Sequence, residues 1–448
     1  MKRVEDWSLG YEILRPIGYL VHRVAHRSIT VYGLENIPKD GPIILAPNHQ
    51  NALSDSLAVI LTCNLQPVFL GRADIFKKKL AAKILNFFKI SPVYRIRDGK
   101  ETLDRNQEVF DNCVEILKKN KVICIYPEAS HVGLKSMNPH KKAIPRIALL
   151  AAEKTNFEID VKVVPVGLYF SHYYQFRRDL IVCYGEPISS KNYYQLYKEE
   201  GEAKATLQFR NDLYQAIRKI VVNVDDRKSY ELYEQGFDMF KPQLYQKLGL
   251  KNRPGNAVKA EQYLTEKLDA YFEKDPSEKE ELLKKAQLYK RLKSRMNISE
   301  KIIQKGPIGI GQLILNYILV LLLMPFALYG LIANGWLFFL TRYPYRKMIT
   351  DPLFYSTFAF GLGFILFPIW YIGQFFILIA IFKCFLIALG LLVFSIPSGI
   401  LAWELGQVIL LSAQRLKLNM LTRKNNKTLQ QLISLRTELL SFYKKSIA

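Results

Sequence analysis

A histidine and an aspartate stand close together where a buried strand is expected to give way to a helix. The run Pro42–Pro47 is apolar and predicts a buried strand, and His49 follows it after one residue. Asp55 opens a second apolar run, Ser56–Thr62, which predicts a helix. A strand-to-helix turn can hold a reactive side chain rigidly and still expose it. The pair could therefore act as a general base and the carboxylate that orients it.

Arginines follow two further strand-like runs. Arg72 comes just after the run Pro67–Leu70, and Arg95 and Arg97 stand at the end of the next run. An arginine at a strand end can recognise a phosphate through two parallel hydrogen bonds. Solvated loop charge explains the same pattern, so these residues alone leave both interpretations open.

A third block, also polar, follows the apolar run Val122–Tyr126. It reads Pro127-Glu128-Ala129-Ser130-His131 and places a carboxylate at the end of a buried strand. Further on, the run Val161–Leu168 contains a proline and fits a core strand or the wall of an apolar channel, with the core as the default.

Strand-like runs alternate with helix-like segments between residues 31 and 188, which predicts an α/β domain with a largely buried sheet. The strand candidates are Ser28–Tyr32, Ile43–Ala46, Pro67–Leu70, Pro92–Arg95, Val122–Tyr126, Val161–Leu168 and Leu180–Tyr184. The helical candidates are Ser54–Thr62, Lys77–Lys89, Thr102–Lys119 and Lys141–Thr155.

The rest of the chain divides by composition. Residues 5–30 predict an amphipathic helix, or a pair broken at Pro16–Gly18, which packs on the next domain or lies in a membrane interface. We favour the interface because basic residues suit anionic head groups. The predicted segments are N-terminal amphipathic helices at 1–35, the α/β domain at 36–190, a charged helical region at 191–305, membrane-embedded helices at 306–413 and a basic helical tail at 414–448.

The charge balance and the apolar stretch indicate a membrane protein. Lysine and arginine number 63 against 40 aspartate and glutamate, a net charge of +23, so an anionic partner is expected. Because residues 307–413 are overwhelmingly apolar, a membrane surface fits this charge better than nucleic acid, for which no motif is present. The N-terminus has no signal-peptide pattern, and the five cysteines lie far apart without metal-ligand spacing. We expect buried, reduced thiols in a cytosolic compartment and no metal site.

The apolar stretch contains two segments long enough to span a bilayer, Leu353–Tyr371 and Phe375–Trp403, joined by a far-side turn at 372–374. The earlier run, 311–340, has basic residues at both ends, and a re-entrant hairpin bent near Pro325 satisfies the positive-inside tendency. A single tilted span is the alternative.

Four blocks, taken in order, resemble the glycerolipid acyltransferase family, which includes glycerol-3-phosphate and 1-acylglycerol-3-phosphate O-acyltransferases. They are the His49–Asp55 block, the arginine block, the Pro127–His131 block and the proline-containing run Val161–Leu168. The resemblance covers roughly residues 40–190 and looks closest to a fungal-type glycerol-3-phosphate/dihydroxyacetone-phosphate acyltransferase branch. Two departures stand out. Five residues separate His49 from Asp55, one more than is usual, and the third block has Ala129 and His131 where glycine and arginine are typical.

The resemblance implies a role for each matching residue. His49 would be the general base and Asp55 its orienting partner, and neither a cofactor nor a metal would be bound. The acceptor's polar head would be bound by Arg95, with Arg72 and Arg97 as weaker candidates, and by Glu128 and Ser130. The acyl donor would be a thioester of coenzyme A or of acyl carrier protein.

The sequence therefore predicts an integral-membrane O-acyltransferase of phospholipid biosynthesis that acylates glycerol-3-phosphate or 1-acylglycerol-3-phosphate. Its catalytic domain would face the cytoplasm, at the cell inner membrane if the source is bacterial. One alternative is acylation of dihydroxyacetone phosphate, another lysolipid or a non-phosphorylated acceptor. A second alternative is a non-catalytic membrane scaffold or transport component that has kept an acyltransferase-like domain.

Overall fold

The computed structural model describes residues 3–76, 79–93 and 102–447. The chain forms two compact units. The first unit is Met1–Asp225 together with the short segment Asp351–Thr357, and the second is Asp226–Thr350 together with Phe358–Ala448.

The first unit contains a β-sheet flanked by helices. Its strands are β1 (His26–Tyr32), β2 (Ile43–Pro47), β3 (Val68–Arg72), β4 (Ile90–Val93), β5 (Val122–Cys124), β6 (Lys162–Phe170), β7 (Arg178–Tyr184) and β8 (Ile188–Ser189). Its helices are α1 (Leu9–Ala25), α2 (Ala52–Thr62), α3 (Lys79–Phe87), α4 (Thr102–Lys118), α5 (Ala143–Glu153), α6 (Tyr194–Glu200) and α7 (Glu202–Arg218).

The sheet is mixed, with the strand order β1-β7-β6-β2-β5-β3-β4, and β8 pairs with β6 at the side. Strand β6 is antiparallel to β7 and to β8, whereas the other pairings are parallel. The predicted α/β class with a mixed sheet flanked by helices is thereby confirmed. Strands β2, β3 and β5 are parallel neighbours, so the residues that follow them emerge at one edge of the sheet.

Strand β2 is buried on both faces, which explains why its sequence is a continuous apolar run. Ile44 and Ala46 point into a core that also contains residues of α4, α5 and α7. Ile43 and Leu45 point into a second core on the opposite face, with residues of α2. Burying each of these isoleucine and leucine side chains contributes about 1.5–3 kcal/mol, so the strand is held firmly at the position where the site begins.

The N-terminal segment differs from its prediction. It forms one helix, α1, which starts at the Ser8 cap, continues through Pro16 and ends at Ala25. Residues 26–32 form β1, which confirms the strand candidate Ser28–Tyr32 and adds His26 and Arg27, because parallel pairing with β7 satisfies their backbone groups. The sheet therefore begins before residue 36. On α1, the side chains of Leu9 and Ile13 are exposed, so the predicted membrane-interface role stays a prediction.

The second unit is helical in the part that is described. Its helices are α8 (Tyr230–Lys247), α9 (Ala257–Lys274), α10 (Lys279–Met296), α11 (Glu300–Lys305), α12 (Ile310–Leu340), α13 (Tyr355–Phe382, of which the first three residues belong to the first unit), α14 (Phe385–Arg423) and α15 (Lys427–Ser446). Buried Glu300 accepts hydrogen bonds from Tyr289 and Arg436, so α15 is joined to α10 and α11 by a compensated charge.

Three helices in the described chain are long and apolar enough to cross a membrane: Ile310–Lys347, Pro352–Phe382 and Phe385–Arg423. The predicted hairpin at Pro325 is wrong, because the helical backbone of α12 continues through it. A proline within a helix lacks one backbone hydrogen bond and its ring crowds the carbonyl of the preceding turn, but it need not end a helix in an apolar setting.

The predicted turn at 372–374 is also wrong. Helix α13 continues to Phe382, and the break falls at Lys383, whose φ is 49°. The Gln374 side chain donates to Ser395 Oγ at 3.1 Å, so its polarity is satisfied by a neighbouring helix rather than by a turn. The following helix, α14, extends through the predicted boundary at residue 413 to Arg423.

Candidate active site

The site begins where β2 ends at the centre of the sheet. The side chain of Asn48, the first residue after β2, accepts from Leu168 N at 2.7 Å and donates to Leu168 O at 3.2 Å. This buried amide continues the pairing of β2 with β6 by one residue and fixes the direction in which the chain leaves the sheet. Helix α2 starts at Ala52, whose φ is 45°.

His49 and Asp55 are in contact. His49 Nδ1 lies 2.7 Å from Asp55 Oδ2. The same oxygen accepts from the backbone N–H groups of Gln50 and Asn51, both at 2.8 Å, and the Asp55 side chain is fully buried. Because an ionised carboxylate only accepts hydrogen bonds, Nδ1 carries the proton and Nε2 has the lone pair.

The extra residue between His49 and Asp55 does not separate them. Asp55 lies in the first turn of α2, and the left-handed backbone at Ala52 takes up the additional residue before the helix begins. His49 Nε2 makes no hydrogen bond to any residue in the described ranges, and the side chain is 16% exposed. The imidazole is thus oriented by one nitrogen and can accept a proton at the other.

Tyr126 supports the other face of the imidazole. Its ring stacks on that of His49 with centroids 4.1 Å apart, and its hydroxyl lies 2.7 Å from Ser56 Oγ. Burial raises the pKa of Tyr126 well above its ordinary value, so the hydroxyl stays neutral. Sequence reasoning did not assign Tyr126 a role, although its place just before the Pro127–His131 block was a usable signal.

Glu128 fixes the backbone around His49. Its Oε1 accepts from His49 N at 2.8 Å, its Oε2 accepts from Asn138 N at 2.7 Å, and its side chain is 1% exposed. The buried Glu128 carboxylate therefore joins the loop that contains His49 to the loop that contains Asn138. The predicted role in binding the acceptor remains a prediction. Ala129 follows with φ 60°, a conformation that favours glycine, which is the residue typical of this position in the resembling family.

The remaining predicted site residues are Arg72, Arg95, Arg97 and Ser130. Arg72 is the last residue of β3, at the same edge of the sheet as His49. Arg95 and Arg97 lie outside the described residues. Ser130 is exposed and interacts with the side chain of Asn138, with Oγ 3.3 Å from Nδ2. A second histidine, His131, was not predicted as a site residue, yet its ring centroid lies 5.4 Å from that of His49.

The cysteines are not arranged for nucleophilic chemistry. No disulfide joins the five cysteines, all of which lie in the described part of the chain. Burial raises the pKa of Cys113 to about 12 and also raises those of Cys63 and Cys124. These thiols therefore stay protonated and unreactive at neutral pH. Among the described residues, no three histidine, cysteine or acidic side chains cluster in a way that could hold a metal ion.

Comparison with known proteins identifies a domain within the first unit. Residues 28–169 match the family model described as Acyltransferase, and this range contains His49, Asp55 and Glu128. No curated protein matches the chain. Solved structures that match include the crystal structure of the 1-acyl-sn-glycerophosphate (LPA) acyltransferase PlsC from Thermotoga maritima, at 18% identity and a TM-score of 0.33, covering 47% of this chain and 77% of that chain. This structural similarity is too low to assign the substrate of that enzyme to this chain. On the family match, the chain carries an acyltransferase domain and is an acyltransferase enzyme.

Proposed function

We propose that the protein is a membrane-bound O-acyltransferase of phospholipid biosynthesis. It transfers a fatty acyl group from an acyl thioester to a hydroxyl of glycerol-3-phosphate or 1-acylglycerol-3-phosphate. The observation that carries this proposal is the contact of 2.7 Å between His49 Nδ1 and Asp55 Oδ2 within the acyltransferase-family range.

The chemistry follows from the orientation of the imidazole. His49 Nε2 takes the proton of the acceptor hydroxyl as that oxygen attacks the thioester carbonyl carbon. Asp55 stabilises the imidazolium through Nδ1. When the tetrahedral intermediate collapses, the C–S bond breaks, the thiolate leaves and the imidazolium returns a proton to it. General-base help of this kind is worth about 10²–10⁴-fold, and the remainder of the rate comes from positioning and oxyanion stabilisation.

The acceptor carries a phosphate in this proposal. Arg72 is the last residue of β3, at the edge of the sheet from which His49 emerges, and arginine is a residue type suited to binding phosphate. Arg95 and Arg97 are proposed as further phosphate ligands from the sequence alone. Ser130 and Glu128 would position the head group, with Glu128 acting through the backbone of His49 and Asn138.

The proposed location is a membrane with the catalytic domain on the cytoplasmic side, the inner membrane if the cell is bacterial. Support comes from the three long apolar helices and the net charge of +23, which suits anionic lipids. A thioester of coenzyme A or of acyl carrier protein would supply the acyl group, and the lipid product would enter the bilayer.

The test is acyl transfer by the purified full-length protein in detergent or nanodiscs with a labelled long-chain acyl thioester. Glycerol-3-phosphate, dihydroxyacetone phosphate and 1-acylglycerol-3-phosphate are compared as acceptors. The His49→Ala variant shows how much of the measured activity comes from contaminating enzymes. The matched control is His172→Ala, which removes an exposed histidine. Transfer to one or more of these acceptors by the wild type and His172→Ala, lost in His49→Ala, supports the proposal.

Other outcomes would change the assignment. Preference for dihydroxyacetone phosphate would favour the fungal-type branch that the sequence resembles. Transfer only to a different lysolipid would remove the phosphate-acceptor assignment but keep the mechanism. A folded wild-type protein that transfers to no acceptor would refute the proposed function.

A further inference from the structure

A short segment between two apolar helices belongs to the catalytic unit. Residues 351–357 follow α12 and lead into α13, yet they pack in the first unit. The Leu353 side chain lies so close to Gly133 that a Cβ at this glycine would stand 2.9 Å from it. Ser356 Oγ donates to Tyr173 O at 2.8 Å and accepts from an Arg178 guanidinium nitrogen at 2.9 Å. The segment is therefore anchored at both ends.

The segment supplies a carboxylate to the histidine beside the catalytic one. Asp351 Oδ2 lies 3.0 Å from His131 Nε2. The Phe354 ring packs edge-on against the His131 ring with centroids 5.4 Å apart, and the His49 ring lies at the same distance on another side. His131 Nδ1 makes no hydrogen bond to a residue within the described ranges. The imidazole is thus fixed by one nitrogen and has the other available.

The carboxylate is held in its charged form. Partial burial would raise the pKa of Asp351, but the hydrogen bond from His131, together with one from Leu353 N, lowers that pKa below its ordinary value overall. An ionised Asp351 can accept the Nε2–H of His131 but cannot donate to it. His131 then presents Nδ1 either as a lone pair or, when protonated, as a charged N–H donor.

We propose that Asp351 is a positioning residue of the acyl-transfer site, which orients His131 so that its Nδ1–H binds the phosphate of the acyl acceptor. This inference rests on the proposed function. Asp351 lies outside residues 28–169, the range of the family match, so the contribution comes from the connection between the apolar helices. The third block has histidine where arginine is typical, and the contact of Nε2 with Asp351 leaves Nδ1 as the ring nitrogen that can meet the acceptor.

The experiment compares steady-state kinetics of wild type, Asp351→Asn, Asp351→Glu, His131→Gln and the double variant Asp351→Asn/His131→Gln, all as full-length protein. Asp40→Asn removes an exposed carboxylate elsewhere and is the matched control. We expect Asp351→Asn to raise the KM for the phosphate acceptor about tenfold, the size of one hydrogen bond to a charged group. The kcat and the KM for the acyl thioester should stay within about twofold, and Asp351→Glu should restore most of the acceptor KM.

Coupling between the two residues is measured in the same set. If Asp351 acts through His131, the double variant has the acceptor KM of the His131→Gln variant rather than the product of both effects. A second readout does not need acceptor turnover: diethyl pyrocarbonate modifies histidines, and peptide mass mapping follows the rate at His131. Loss of its carboxylate partner should change this rate several-fold in Asp351→Asn and leave the rate at His172 unchanged.

The outcomes separate the inference from the proposed function. Additive effects, or an unchanged acceptor KM in an active Asp351→Asn variant, would overturn the inference and leave the proposed function intact. If the wild type acylates no phosphate acceptor, the proposed function fails and the phosphate part of the inference fails with it. The rate at which diethyl pyrocarbonate modifies His131 then tests whether Asp351 orients His131. An unchanged rate at His131 in Asp351→Asn would refute this role as well.

Discussion

Replacing Asp55 by asparagine tests how much the buried carboxylate contributes to the reaction. Asp55 Oδ2 accepts from His49 Nδ1 and from two backbone N–H groups at 2.7–2.8 Å. An asparagine oxygen at the same place can accept these bonds, so the imidazole keeps its tautomer. The amide NH2 takes the place of Oδ1, a buried atom without a hydrogen-bond partner among the described residues, so the variant should also be somewhat less stable. What is lost is the negative charge beside the imidazolium that forms in the transition state.

The size of this loss follows from the separation. Two unit charges about 4 Å apart interact with about 4 kcal/mol at an effective dielectric constant of about 20. Because about 1.4 kcal/mol corresponds to a factor of ten in rate, Asp55→Asn should lower kcat about 10³-fold. The KM values should change by less than about threefold, since the charge matters only when His49 is protonated.

The assay is steady-state acyl transfer with wild type and Asp55→Asn, which gives kcat and the KM values, with thermal unfolding to confirm that the variant is folded. Asp40→Asn, at an exposed carboxylate, serves as the control. A folded Asp55→Asn variant that retains more than about a tenth of the wild-type kcat would refute the electrostatic role assigned to Asp55.

Three further predictions concern the supports of the site and the pH range of stability. Glu128→Gln keeps only one acceptor oxygen for its two backbone N–H groups, so the free energy of unfolding should fall by about 1–3 kcal/mol, and kcat should fall as His49 shifts. Ala129→Gly should raise the free energy of unfolding by up to about 1 kcal/mol, because φ is 60° at this position. Burial and the nearby Arg210 lower the pKa of His140 from 6.5 to about 4, so only the unfolded chain binds this proton between those values. The contribution of His140 to the free energy of unfolding should therefore be fully present above pH 6.5 and be lost as the pH drops toward 4. His140→Gln should make the free energy of unfolding depend less steeply on pH in this range.

Chemical and thermal unfolding measure all three. An unchanged unfolding midpoint in Glu128→Gln would contradict its role in joining two loops, and a lower midpoint in Ala129→Gly would show that the alanine makes contacts worth more than its strain. For His140, equal pH slopes in wild type and His140→Gln between pH 4 and 6.5 would show that its buried imidazole is not the cause.

The α/β domain was predictable because the apolar runs in its sequence coincide with strands that are buried in the structure. The apolar run at 42–47 is buried on both faces as β2, and the polar residues after it emerge at the sheet edge. The contact between His49 and Asp55 was predicted in spite of its unusual spacing. The sequence could not show that a left-handed Ala52 would take up the extra residue, since nothing in an Ala-Leu-Ser sequence favours that conformation.

Long-range contacts account for what was missed. Pairing with β7 starts β1 at His26, two residues before the predicted strand Ser28–Tyr32, and helix α12 passes through Pro325 in spite of the usual helix-breaking role of proline. The resemblance implied a substrate-binding role for Glu128, which stays a prediction, but it could not show that the two carboxylate oxygens accept from the backbone N–H groups of His49 and Asn138. Asp351 lies 220 residues from its partner His131, a separation that no local pattern could bridge.

The measurement that tests the central claim most directly is single-turnover acyl transfer by His49→Ala, with the acceptor that the wild type prefers. The His49→Ala protein must unfold at the same temperature as the wild type and bind the acyl thioester with the same affinity. The account predicts that the rate of transfer then falls by about 10³-fold or more, because no other described side chain occupies the position of His49 Nε2. A folded His49→Ala variant that transfers the acyl group within tenfold of the wild-type rate would contradict the assignment of His49 as the general base.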